Sequence, residues 1–310
     1  MDGVTVPALI IHKPGMLTTV QDLGRWGHQD RGVPVAGPMD EYSFRLANRL
    51  VGNPDTAAAL EVTLMGPDVE FDGAVTFAVA GAAFPLALDG TPVASHQAVT
   101  AAGGSRLSFG VRTTGARAYL AVAGGLDVPE VFGSRATHLL SAMGPLGGKP
   151  VAAGVRVPVG SMPPGAPIAG TPLPLPAGGA AVRIAWGPQE DYFTADARQT
   201  LVSTRYQITP QSNRQGYRLL GPALTHAMGA DILSDATPIG SLQVPASGQP
   251  ILLMADRQTT GGYPKIATVI TADLPLAGQL APGDWVAFVA CDLHDATRAL
   301  IDLERQLGGR

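Results

Sequence analysis

Short apolar runs closed by Gly or Pro dominate this chain, a pattern that predicts many strands joined by turns. Ala8-Leu9-Ile10-Ile11-His12 predicts a first strand, ended by Lys13-Pro14-Gly15. Residues 60–64, 69–71, 75–79, 106–109 and 118–122 predict further strands, and residues 181–186 open the second half with another. Helical spacing is scarce. Tyr42, Leu46 and Leu50 recur at i, i+4 and i+8, predicting a helix over 41–50 with Asp40 as N-cap and Gly52-Asn53-Pro54 as its stop. A short helix is expected over 194–201, and Leu300, Leu303 and Leu307 predict a C-terminal helix over 293–307. The chain therefore reads as mainly β with a few short helices.

Composition refines the picture. The 39 Gly and 27 Pro suit strands and turns better than long helices. Residues 163–180 concentrate Pro, Gly and Ala and predict an extended linker between domains over 1–162 and 181–310. Net charge is −4 with scattered basic residues, so no basic stripe points to nucleic acid. Cys291 is the one cysteine, which excludes an intrachain disulfide, and the six histidines show no paired spacing, so no metal site is expected. The first residues carry no basic segment followed by an apolar one, and no run approaches the ~20 residues of a membrane span. A cytoplasmic location is expected.

A repeat organises the two halves. Asp89-Gly90-Thr91-Pro92-Val93-Ala94-Ser95-His96-Gln97 matches Asp235-Ala236-Thr237-Pro238-Ile239-Gly240-Ser241-Leu242-Gln243, 146 positions later. Arg112-Thr113-Thr114-Gly115 then answers Arg257-Gln258-Thr259-Thr260-Gly261. A repeat of this length implies a duplicated domain. The first copy has Val111 where the second has Asp256, and it lacks counterparts of Gln258, Gly262 and Tyr263. The second copy is therefore the better candidate for chemistry. Its run from Met254 to Lys265 sets Asp256, Arg257, Gln258, Thr259, Thr260 and Tyr263 around Gly261-Gly262, between two apolar strands. Such a cluster is either a solvated hairpin tip or a satisfied polar site. The Gly-Gly pair allows a positive φ or a close backbone approach.

Two further clusters stand out. Gln21, Asp22 and Arg25 lie close in sequence, and Asp22 with Arg25 could form an ordinary ion pair. Residues 211–218 place Arg214 and Gln215 before Gly216. Arg25, Arg214 and Arg257 sit in glycine-punctuated segments, and a guanidinium fork matches carboxylate, phosphate or carbonyl oxygens. No G-x-x-x-x-G-K-[ST] phosphate loop and no G-x-S-x-G elbow occurs.

Together, residues 18–25, 32–40, 47–53, 60–61, 187–189, 212–218 and 256–265 resemble the biotin-dependent carboxyltransferase family, also called allophanate hydrolase subunit 2 or the C subunit of 5-oxoprolinase. The resemblance spans about residues 8–290, and Gln215 departs from it where Met is common. It implies two duplicated cyclophilin-like β-barrel domains and work in a complex. That complex would be an ATP-dependent 5-oxoprolinase, opening 5-oxoproline to glutamate with the 5-oxoprolinase A subunit and a kinase-inhibitor-like B subunit. This chain would be inactive alone, and ATP would belong to the complex. Asp256, Arg257 and Asp22 are then the candidate catalytic residues. Arg214, Gln258, Thr259, Thr260, Tyr263 and Arg25 are the candidate substrate-binding residues. Two alternatives follow from the same resemblance: a urea carboxylase-like component that meets carboxybiotin on a separate carrier, and a non-enzymatic antagonist of a histidine-kinase inhibitor.

Overall fold

The computed structural model of the protein describes residues 6–308, and the segment at 1–5, where a leader would begin, lies outside the described residues. The chain is mainly β, as its pattern predicts. It forms two compact units whose chain segments interleave. One unit holds residues 6–25, 36–175 and 306–308; the other holds Trp26–Val35 and Pro176–Arg305. No helix among the described residues is long and apolar enough to cross a membrane.

The first unit carries strands β1 (Ala8–Lys13), β2 (Leu17–Gln21), β3 (Ala59–Thr63), β4 (Asp68–Asp72), β5 (Val75–Ala83), β6 (Leu86–Leu88), β7 (Thr91–Val93), β8 (Val99–Ala101), β9 (Arg106–Phe109), β10 (Thr114–Val122) and β11 (Arg156–Pro158). They make a six-stranded sheet, β11-β1-β4-β9-β6-β7, and a five-stranded sheet, β2-β3-β10-β5-β8. Leu9, Ile11, Leu60, Phe71, Phe77 and Leu120 meet in one core drawn from both sheets. Helix α1 (Glu41–Leu50) covers the five-stranded sheet, with Phe44 edge-on to Tyr119 at 5.8 Å. Asp40 caps it by accepting the Ser43 N–H at 2.9 Å, as expected. Because β10 is covered on both faces, residues Gly115 to Val122 are all buried.

Part of the Pro-rich stretch is ordered by backbone hydrogen bonds within this unit. The Gly165 amide donates to Gly52 O at 2.7 Å, that of Ile168 to Arg49 O at 2.9 Å and that of Thr171 to Gln306 O at 3.1 Å. Such bonds tie the backbone of residues 165–171 to the unit while most of their side chains stay exposed.

The second unit carries β12 (Gly179–Trp186), β13 (Arg205–Ile208), β14 (Gly216–Leu220), β15 (Asp235–Ala236), β16 (Ser241–Gln243), β17 (Ile251–Leu253), β18 (Thr260–Gly261), β19 (Lys265–Val269) and β20 (Trp285–Ala290). Seven of them close a barrel in the order β12-β19-β16-β17-β14-β13-β20, and the seam is a parallel β12–β20 pairing. The remaining two, β15 and β18, form a separate ribbon. The strands expected on either side of the polar run are β17 and β19. Arg112 lies between β9 and β10, and Arg257 between β17 and β18, so in each copy of the repeat the arginine sits between two strands. Its local structure has diverged: Asp89 turns the β6–β7 hairpin at φ 51°, whereas Asp235 lies in the β15–β18 ribbon.

Candidate functional site

The segment between β17 and β18 leaves the barrel with its polar side chains partly turned inward. Asp256 and Arg257 are 5% and 9% exposed, so each charge needs a partner or a ligand. Asp256 has one. Arg214, from the loop before β14, donates Nε to Oδ2 and Nη2 to Oδ1, both at 3.0 Å. The two carboxylate oxygens are thus held by a bidentate fork in a buried setting. Arg214, a candidate substrate-binding residue, and Asp256, a candidate catalytic one, are thus brought together as a pair.

Arg257 is different. Its Nε donates to Thr237 O at 2.8 Å, and among the described residues its Nη1 and Nη2 have no hydrogen-bond partner. Burial pushes its pKa down to about 10, while the attraction of Asp256 works to raise it. The guanidinium therefore stays cationic at neutral pH. It lines a pocket of about 330 Å³ with Trp26, Thr237, Pro238, Gln258 and Thr259. Trp26 comes from the early segment Trp26–Val35, which packs into this unit.

Gln258 separates that pocket from a larger cleft of about 450 Å³ whose walls include Gln215, Arg218, Gln243 and Tyr263. A directional ladder of carboxamides runs between them. Gln215 Nε2 donates to Gln258 Oε1 at 3.3 Å, Gln258 Nε2 to Gln243 Oε1 at 3.1 Å, and Gln243 Nε2 to Tyr263 O at 3.4 Å. Gly261 has no positive φ, so conformational freedom is not its purpose. A Cβ there would lie 2.5 Å from Gln243 Nε2 and 3.3 Å from Gln258 Nε2. The glycine makes room for the ladder, which is the close-approach reading of the pair. Gly262 carries no such constraint, its nearest neighbour being Ile232 O at 3.5 Å.

Lys265 is buried and its Nζ bonds Asp235 Oδ2 at 2.7 Å, while its amide donates to Gln189 Oε1 at 3.2 Å. This ties the β15–β18 ribbon to the barrel and holds Thr237 beside Arg257. Thr237 Oγ1 in turn donates to Gln258 O, and the Thr237 amide donates to Thr259 O at 3.1 Å. Thr259 lines the Arg257 pocket, Thr260 is exposed in the ribbon, and Tyr263 is 40% exposed at the cleft.

Asp22 and Arg25 belong to the other unit and do not pair there. Asp22 Oδ1 accepts from the Gly24 amide at 2.9 Å and Ser134 Oγ at 2.6 Å, and Oδ2 accepts from the Arg135 amide. Arg25 donates Nε to Val131 O at 3.3 Å and Nη2 to Ala136 O. Both side chains pin the loop around residues 131–136. The ion pair that the two could have formed is not made: the Gly24 amide and groups of this loop hold Asp22, and carbonyls of the loop hold Arg25.

Residue-type reasoning passed over Thr237, Gln243, Asp235 and Lys265. A signal existed in the repeat, whose matched positions include Asp235, Thr237 and Gln243. In the first copy Thr91 and Gln97 are exposed, so the equivalent network is missing.

A family model for the carboxyltransferase domain, subdomain A and B, matches residues 31–290. The chain is 40% identical to the C subunit of 5-oxoprolinase from Escherichia coli over 297 residues, 96% of each chain. It is 36% identical to the protein of the same name in Haemophilus influenzae over 292 residues, 90% of each chain. Its structure is similar to that of K. lactis urea amidolyase, with a TM-score of 0.93 and 32% identity over 99% of this chain, which corresponds to 20% of that one.

Proposed function

The chain belongs to the family of the carboxyltransferase domain, subdomains A and B, and from that premise we propose that it is the C subunit of an ATP-dependent 5-oxoprolinase, acting with the A and B subunits to open 5-oxoproline to glutamate. The observation that carries this reading is likeness to a bacterial subunit of that name along nearly the whole of both chains.

The site chemistry supports it. 5-Oxoproline offers a carboxylate and a lactam carbonyl, both oxygen acceptors. Arg257 lines the smaller pocket with two amino groups that have no hydrogen-bond partner among the described residues, a fork suited to one anionic or polarised oxygen. Gln258 and Thr259 line the same pocket and add positioning hydrogen bonds. Arg214 and Asp256 brace the segment that carries Arg257. Among the described residues Arg257 is the one charged side chain lining this pocket, which fits a single anionic group and not a triphosphate. In this reading ATP belongs to the complex.

The experiment is reconstitution. The purified chain shows no ATP-dependent 5-oxoproline cleavage, and adding the A and B subunits restores it. In the assembled complex Arg257→Lys lowers turnover on the order of 10–100-fold, since a charge-assisted bond contributes roughly 1.5–3 kcal/mol and Lys lacks the fork. Arg112→Lys, in the degenerate copy, changes turnover little. Robust turnover by the chain alone, or equally small effects of both substitutions, would overturn the reading.

A second reading is a biotin-dependent carboxyltransferase component, favoured by the near-complete structural overlay on urea amidolyase. The same donors would then face the ureido oxygen of carboxybiotin on a separate carrier. Capture of a biotinylated partner, together with no gain of lactam cleavage on adding the A and B subunits, would favour it.

A further inference from the structure

In the barrel wall, β14, β17 and β16 lie side by side, with Gly216 opposite Leu253, Arg218 opposite Ile251, and Gln243 opposite Ile251 from the other neighbour. Strand alternation sends Tyr217, Leu252 and Leu242 into the barrel, where each is at most 1% exposed. Arg218, Ile251, Leu253 and Gln243 are left to the outer face, which floors the cleft of about 450 Å³. Gly216 contributes no side chain there, and a Cβ would crowd Leu252 O at 3.1 Å and Ile251 Cγ2 at 3.2 Å. The volume falls in the range of small-molecule sites.

The cleft has three chemical zones. Ile251, Leu253 and Pro245 supply apolar surface. The carboxamide ladder begins there at Gln215, whose Oε1 has no partner among the described residues. Arg218 also lines it, and among the described residues its guanidinium bonds to nothing. A primary carboxamide presents a donor and an acceptor along one edge. Its complement is a cis amide, whose N–H and C=O also share one edge. A five-membered lactam is locked cis by its ring, whereas an open-chain secondary amide is trans and turns these groups apart.

We propose that this cleft binds a small cyclic amide bearing a carboxylate, with Gln215 reading the amide edge, Arg218 the carboxylate and the apolar floor the ring methylenes. Arg257 lines the smaller pocket on the far side of Gln258, so in this placement it meets charge that develops on an oxygen during turnover and not the carboxylate or amide edge of the ligand as first bound. The proposal rests on the functional reading above for the choice of 5-oxoproline as ligand, and its test uses binding rather than turnover.

The full-length purified chain is titrated with 5-oxoproline, N-acetylglycine and cyclopentanecarboxylate, followed by calorimetry and ligand-observed NMR. N-acetylglycine keeps the carboxylate but carries a trans amide, and cyclopentanecarboxylate lacks the amide. 5-Oxoproline binds tightest. Arg218→Lys weakens its binding on the order of 10–100-fold, because the charge stays and the fork is lost. Gln215→Met weakens 5-oxoproline roughly 2–10-fold and leaves cyclopentanecarboxylate unchanged, so the lactam preference shrinks. The Arg218 guanidinium has no partner among the described residues to lose, and unchanged melting of its variant separates a binding defect from misfolding. Absence of saturable binding at millimolar 5-oxoproline overturns the cleft assignment even if the complete complex turns over. Binding that ignores both substitutions, or that favours N-acetylglycine, overturns it too. Cleft-dependent binding without turnover in any reconstituted complex sinks the activity reading and leaves the site standing.

Discussion

Removing one partner from the Arg214–Asp256 pair strands the other charge where the side chains are only 4% and 5% exposed. Breaking such a buried pair costs roughly 3–5 kcal/mol, whereas replacing both members by apolar residues of similar volume is often neutral. Asp256→Asn and Arg214→Gln are therefore each expected to lower the urea midpoint sharply, and the double variant Arg214→Met with Asp256→Leu recovers most of the loss. That double variant also keeps turnover in the assembled complex if the pair only braces the Arg257 segment. A folded double variant with no turnover would place Asp256 in the chemistry after all. At this scale the sequence shows which residue types cluster, but not which of two arginines is already paired. Arg214 and Arg257 read alike in a list of residues. Their roles separate because Arg214 reaches a carboxylate 42 positions away and Arg257 reaches a carbonyl with only its Nε.

Among the elements, helix α1 shows how local pattern and distant packing combine. Its periodicity and cap are plain in the sequence, yet its anchoring is not. Arg45 and Arg49 converge on Asp55, with Nε–O distances of 2.9 and 2.7 Å, and Arg49 Nη1 also donates to Leu307 O at 2.7 Å. Burial alone would raise the Asp55 pKa, but the hydrogen bonds from Arg49 and Arg45 outweigh it and hold the carboxyl below its usual range. A depressed folded-state pKa adds stability above the unfolded-state value and loses it as pH falls through the folded one. Asp55→Asn should thus cost about 1 kcal/mol near neutral pH, a modest figure because the cluster is partly solvated. The gap between wild type and variant closes as pH drops below the ordinary aspartate range, and thermal melts across that range measure it. A gap independent of pH would mean that packing, not charge, holds the cluster. Other elements were not legible for physical reasons. Strand β2 reads as a polar segment because Thr18, Thr19 and Gln21 are all buried, which erases its alternation. The β15–β18 ribbon is two residues deep, too short for any period to show.

For the whole molecule, the interleaving of chain segments has a direct consequence. The unit that carries the site borrows Trp26–Val35 from the first half, and Trp26 and Val35 line the Arg257 pocket. A fragment starting at residue 176 lacks that wall. It is expected to bind a hydrophobic dye and to melt below the intact chain, and residues 1–175 supplied in trans should reverse both effects. Equal melting of fragment and full chain would show that the borrowed segment contributes nothing.

The mainly β character, α1 with its cap, the strands flanking the polar run, the repeat and the family resemblance all follow from local pattern and ordered motifs, because periodicity and turn chemistry are written within a few neighbouring residues. Tertiary structure alone decided that Arg214 and Asp256 satisfy each other, that Asp22 and Arg25 pin a loop, and that Gly261 clears space for two glutamines of the ladder. It also decided that the site is walled in part by an early segment of the chain. Those outcomes depend on which distant groups share a buried volume. Whether a charge is paired or left for a ligand is set by desolvation and long-range neighbours, and neither is recorded in the spacing of residues along the chain.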